Sequence, residues 1–167
     1  QPALFTVEAA IVEILRARGM EPSAAAGHSL GEYGAWYAAG VYDFESGFAL
    51  VSERARLMDG ADPEGKGAMA AVIGLDETIV REACETIDGT VVIANLNSPG
   101  QMVISGERSA IDHVTPILKE RGAKRVLPLP VSGAFHSPLM AKARDEFAEA
   151  AGRTKLFDSR CPVYANV

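Results

Sequence analysis

Apolar residues recur at helical spacing from the start of the chain. Leu4, Ile11, Ile14 and Leu15 form one stripe, Glu8, Arg16 and Arg18 lie on the opposite side, Pro2 suits a first turn and Gly19 a stop. The pattern predicts a helix over 2–18 with that stripe toward the core. Residues 23–26 are small, and a strand is expected there only because the turn that follows needs one, since alanine has little strand propensity. A second helix is expected from just after Ser29 to about Ala39, ended by Gly40. Asp43 is a good N-cap for a third, over 44–58. In that helix Phe44, Phe48, Val51, Ala55 and Met58 fall on one stripe, with Leu50 and Leu57 on a row beside it. Arg54 projects between the two rows, although Glu45, Ser52, Glu53, Arg56 and Asp59 supply a polar face elsewhere on the same helix. A guanidinium in an apolar arc needs an anion or a route to water. Three readings stay open at this point: a structural ion pair, a side chain that snorkels past Leu50, or a fork for a substrate carboxylate.

From Gly60 to Gly67 the texture changes to turn residues, which marks a boundary. Beyond it a strand is expected over 68–73, a helix over 77–87, strands over 90–95 and 102–105 across the Asn97-Ser98-Pro99-Gly100 turn, a helix over 107–121 kinked at Pro116, and a strand over 125–130. The order β-α-β-β-α-β is that of a ferredoxin-like split unit, spanning residues 61–131. A loop over 131–137 follows, then a helix opened by Pro138 and running to about Ala151.

Composition narrows the class. With 167 residues, the chain is one ordinary domain, or one domain carrying a small inserted one. It is 48% hydrophobic and 23% charged, and no apolar run approaches the ~20 residues of a membrane span. The net charge of −6 argues against a nucleic-acid partner, which would call for a basic face. Cys84 and Cys161 have no metal-type spacing and read as reduced structural thiols, as in a cytoplasmic protein.

The chemistry concentrates in Gly27-His28-Ser29-Leu30-Gly31, a G-x-S-x-G pattern that seats a serine on a sharp strand-to-helix turn. Two glycines let the strand end and the first helical turn approach. Ser29 would act as a nucleophile in acyl transfer, with the N–H of Leu30 at the helix start facing the oxyanion. Of the three histidines, His113 beside Asp112 reads as solvated, and His28 flanks the turn and points away. His136, in a glycine-containing loop, remains as the base.

Taken together, Gly27 to Tyr33, an arginine 25 positions after the serine, Asn95-Leu96-Asn97-Ser98-Pro99-Gly100-Gln101 and Gly133-Ala134-Phe135-His136-Ser137 resemble the family of malonyl-CoA:acyl-carrier-protein transacylases, whose motifs the acyltransferase domains of polyketide and fatty-acid synthases share. The resemblance runs the length of the chain and includes the Gly65-Lys66-Gly67-Ala68-Met69-Ala70 stretch. It implies an α/β-hydrolase-like core (residues 1–60 and 132–167) with the ferredoxin-like insert at 61–131. It also implies Ser29 as nucleophile, His136 as base without a third acid, Leu30 N–H as one oxyanion donor, Arg54 on the malonyl carboxylate, and Asn97 near the active-site gorge. No bound cofactor or metal is implied. The substrates would be malonyl-CoA and the phosphopantetheine thiol of an acyl carrier protein, in fatty-acid or polyketide synthesis in the cytoplasm, with neither a nucleic-acid nor a membrane partner. Lys119, Arg121, Lys124 and Arg125 form the densest basic cluster, either a dock for an acidic carrier or cations at a helix's negative end.

The family's glycine- and glutamine-rich opening strand-turn and its segment beyond Val167 have no counterpart here. The chain is therefore expected to be truncated at both ends, and poorly soluble or inactive when expressed alone. Two rivals remain: a serine esterase or thioesterase, which would need an acid between serine and histidine, and an inactive carrier-protein-binding fragment.

Overall fold

The computed structural model describes residues 1–166. Contacts divide the chain into two compact units, Gln1–Arg56 with Glu146–Val167, and Leu57–Asp145.

In the first unit α1 (Pro2–Ala17) is followed by a two-residue strand β1 (Ala25–Ala26), then α2 (Gly31–Ala38) and α3 (Phe44–Asp59). β1 pairs in parallel with β6 (Val163–Tyr164), Ala25 opposite Val163 and Ala26 opposite Tyr164. The sequence expectation of a strand before the turn holds for these two residues, held by a partner 138 positions away and not by propensity. Gly40, at φ +78°, ends the second helix, and Asp43 opens the third by accepting the Ser46 N–H at 2.8 Å. Hydrogen bonding from Ser46, which outweighs a smaller cost of desolvation, draws the Asp43 carboxyl below its usual range.

The buried face of α1 is not the expected one. Phe5 and Ala9 are buried, whereas Leu4, Val7, Ile11 and Ile14 are all more than half exposed. The reason is the way α1 meets α2. Glu8 lies against Gly34, where an added Cβ would come within 2.3 Å of its carboxylate. Arg16 reaches the end of α2 and donates from Nη2 to the carbonyls of Tyr37 (3.2 Å) and Ala38 (3.0 Å), its guanidinium 5.3 Å from the Tyr37 ring. Glu8 and Arg16, read from sequence as a solvent side, are thus on the packing side. Desolvation pushes the Glu8 carboxyl up, and Arg16 supplies positive charge where the α2 dipole is negative.

The inward arc of α3 is rotated in the same sense. Phe44 and Phe48 are about 40% and 39% exposed, while Gly47, Leu50 and Val51 are buried. Gly47 causes the rotation: an added Cβ would lie 2.6 Å from both the Phe5 and Tyr42 rings, so those rings occupy the place of its side chain. Positions 47, 50, 51 and 54 share one helical face. Arg54 therefore points the same way as the residues that bury themselves on Phe5, Tyr42, Val41 and Cys161.

The second unit contains β2 (Gly67–Ile73), α4 (Glu77–Glu85), β3 (Val91–Ser98), β4 (Gln101–Glu107), α5 (Arg108–Glu120), β5 (Arg125–Pro128) and the first part of α6 (Ala141–Gly152). Its sheet has the order β3-β4-β2-β5, each neighbour antiparallel. Val80 and Ala83 of α4 and Ala110, Val114 and Leu118 of α5 are wholly buried with Val72 and Ile104 of the sheet. Desolvation in this cluster pushes the Cys84 thiol up to about 11, which suits an inert structural role. Every element expected between residues 68 and 130 is present, with ends shifted by a few residues. Pro116, expected to kink its helix, lies inside α5 as one uninterrupted element.

Candidate active site

Ser29 occupies a turn that few non-glycine residues adopt, with φ at +52°. β1 leads in, and the chain turns directly into α2: Gly31 N–H bonds His28 O at 3.0 Å, Glu32 N–H bonds Ser29 O at 3.2 Å, and Tyr33 N–H bonds Leu30 O at 3.0 Å. The Leu30 N–H has no acceptor among the described residues, so this donor at the head of α2 is available to a bound oxyanion.

Only the first glycine of the motif is required by close approach. A Cβ on Gly27 would fall 2.0 Å from the Gly31 carbonyl carbon and oxygen and 2.4 Å from Glu32 N, all backbone; a Cβ on Gly31 would meet nothing within 4 Å. The sequence pattern treats the two alike and the structure does not. Gly27→Ala is expected to cost about 3 kcal/mol by overpacking, whereas Gly31→Ala should stay within about 0.5 kcal/mol of the parent. Thermal melts of both variants in the full-length protein check this, and equal losses would refute the asymmetry.

Arg54 faces the serine. Its Nη2 donates to Ser29 Oγ at 3.0 Å and its Nη1 to Gln1 Oε1, while the guanidinium carbon lies 5.5 Å from the centre of the Tyr33 ring. Among the described residues no carboxylate lies within ion-pair distance of Arg54. Its polar partners are a hydroxyl and an amide oxygen, both neutral, so its charge is unmatched within this group. Tyr33 in turn accepts the Tyr42 hydroxyl on its backbone oxygen at 2.6 Å, and burial pushes both phenols up, so each stays a neutral wall. Sequence reasoning singled out Arg54 but missed Gln1 and Tyr33, since nothing in their spacing marks them as partners of an arginine 53 and 21 positions on.

His136 and Asn97 belong to the second unit. His136 is exposed and, like Ser29, non-glycine at positive φ, +58°. Its loop is braced from both sides. Ser137 Oγ donates to Ala134 O at 2.6 Å and accepts the Leu139 N–H at 3.3 Å, capping a short 3-10 turn over Pro138–Met140. At the other end, a Cβ on Gly67 would come within 2.4 Å of Ala134 N, so the loop lies directly on the start of β2. Asp62 holds that start by accepting the N–H of Lys66 (2.9 Å) and Gly67 (2.6 Å). Asn97 is exposed on β3 at a register shift between Leu96 and Ser98, the sort of irregularity that re-aims a side chain. His28 and His113 are both exposed.

Residues 1–167 match the acyl transferase domain family. The malonyl CoA-acyl carrier protein transacylase of Bacillus subtilis is 42% identical over 170 residues, covering all of this chain and 54% of that protein; the Escherichia coli K12 enzyme of the same name is 45% identical, with 55% covered. Among solved structures, an acyl carrier protein S-malonyltransferase from Vibrio cholerae superposes with a TM-score of 0.95 at 43% identity, covering 99% of this chain and 55% of that one. A malonyl-transacylase solved with its type II polyketide acyl-carrier protein gives 0.96 at 43%, with the same coverage. The chain spans about half the length of the curated relatives it matches. Its fold is the mixed α/β fold of these proteins. Among the described residues no helix is long and apolar enough to cross a membrane.

Proposed function

The chain belongs to the acyl transferase domain family, and on that premise we propose that the protein carrying it moves a malonyl group from malonyl-CoA, through an ester on Ser29, to the phosphopantetheine thiol of an acyl carrier protein in the cytoplasm. Ser29 Oγ attacks the thioester carbonyl while His136 takes its proton. The oxyanion faces the Leu30 N–H, and collapse expels the coenzyme A sulfur, which leaves with the proton from His136. The carrier thiol then gives its proton to His136 and attacks the ester, and His136 returns that proton to Ser29. Asn97, singled out only by the family motif that contains it, is assigned no step. The basic residues Lys119, Arg121, Lys124 and Arg125, all exposed, would receive the acidic carrier.

The same reading takes residues 1–60 and 132–167 as an α/β-hydrolase-like core, supported by the strand-turn-helix at Ser29. It takes 61–131 as a ferredoxin-like insert, supported by the order and antiparallel register of its four strands.

The observation that carries the proposal is the Arg54 guanidinium 3.0 Å from Ser29 Oγ, with no carboxylate paired to it among the described residues. A neutral acyl group offers no anion for this charge to pair with. A malonyl group brings the missing anion. A charge-assisted fork contributes roughly 1.5–3 kcal/mol, or about ten- to a hundredfold in preference for malonyl over acetyl. Arg54→Ala should therefore depress malonyl transfer by that factor and leave acetyl transfer intact or improved, while Arg54→Lys recovers little because an ammonium cannot reproduce the fork. The measurement is kcat/KM for malonyl-CoA and acetyl-CoA on the full-length protein and both variants. Equal losses for the two substrates in a folded protein would make Arg54 a structural residue and sink the carboxylate assignment.

A further inference from the structure

The β1–β6 ladder ends at Ala26 and Tyr164, yet the pairing continues by other means. Two residues past Tyr164, the Asn166 side chain spans the nucleophile turn: Oδ1 accepts the Ser29 N–H at 2.6 Å and Nδ2 donates to Gly27 O at 2.6 Å. One partner is a donor and the other an acceptor, and a carboxamide carries both complementary functions on one rigid plane. We infer that Asn166 is a positioning residue for the nucleophile: it holds Ser29 at positive φ and sets which backbone N–H meets the oxyanion.

Three observations carry this. Ser29 is at φ +52°, a conformation that persists in a non-glycine residue only when its surroundings hold it there. Asn166 grips the peptide groups on both sides of the turn, one before His28 and one at Ser29 itself. With the Ser29 N–H engaged by Asn166 and those of Gly31, Glu32 and Tyr33 engaged inside the turn, the Leu30 N–H is left as the donor for the acyl oxygen. Asn166 touches neither the hydroxyl nor the acyl group. Its effect passes through the backbone.

The inference rests on the seryl-ester reading above, and the test separates the two. Single-turnover acylation by malonyl-CoA is followed by intact-protein mass on full-length wild type, Asn166→Ala and Asn166→Asp, with KM and Tm measured for each. Asn166→Ala loses both bonds and should acylate about tenfold or more slowly, the scale set by misplacing a reacting group. Its KM should change less than twofold, because no substrate contact is removed. Asn166→Asp keeps an acceptor for the Ser29 N–H and loses the donor to Gly27 O, so its rate should fall between the other two. If wild type forms no Ser29 ester, the transacylase reading and this inference fail together. If wild type is labelled and Asn166→Ala matches its rate, or the loss appears in KM and not in the acylation rate, or the loss disappears below the melting onset of the variant, Asn166 has no positioning role.

Discussion

Full-length protein with alanine in place of Ser29 is expected to take up no malonyl mass on incubation with malonyl-CoA, while wild type gains one malonyl group that peptide mapping places on Ser29. The argument is local. Ser29 sits at the head of an eight-residue helix beside the Leu30 N–H, which no described residue engages, in a backbone conformation that sequence propensity alone would not choose, and with a guanidinium on its hydroxyl. Removing a serine nucleophile costs a serine hydrolase on the order of 10⁶-fold. The same experiment tests the rivals. Hydrolysis of the wild-type ester with no transfer to a thiol would mark an esterase. Carrier binding without any ester would mark a binding module. A label on another residue would remove Ser29 from the mechanism.

His136→Ala should slow acylation by about 10²- to 10⁴-fold, the range for a positioned general base, with His28→Ala close to wild type. The loop should survive the substitution. Two of its fixed points, the Ser137 hydroxyl on Ala134 O and the packing of Gly67 on Ala134 N, do not involve the imidazole. Positive φ at position 136 is less comfortable for alanine than for histidine, so His136→Asn, which tolerates that conformation and cannot serve as a base, is the companion variant. Both should lose acylation alike and keep the Tm of wild type within a few degrees. An acylation rate that does not change in either variant would transfer the base role to His28 or to solvent.

The residues show why some features were legible in sequence and others were not. The elements of the four-stranded unit were readable to within a few residues at their ends because its apolar positions alternate with turn signals. Asp43 and Gly40 were readable because caps are local chemistry. The arcs of α1 and α3 were misjudged for a common reason. Glu8 against Gly34, Arg16 on the end of α2, and two aromatic rings in the space over Gly47 are choices made by partners, and a hydrophobic stripe records only composition. Arg54 stood out as an exception to its own helix, but its neighbours Gln1 and Tyr33 did not, and neither did Asn166, an ordinary residue near the end of the chain until β6 places it on the turn.

The pairing of β1 with β6 also sets an order of events during folding. The second unit is continuous in the chain, so its strands can pair as soon as residues 57–145 are available, by closing short loops. β1 cannot do so. Its partner lies 138 positions later, a closure that is slow for a free coil and shortened once the intervening residues have collapsed. As the chain leaves the ribosome, Ala25 and Ala26 must wait through the synthesis of the whole second unit, and the seryl turn that they lead into takes its final form after everything between has been made.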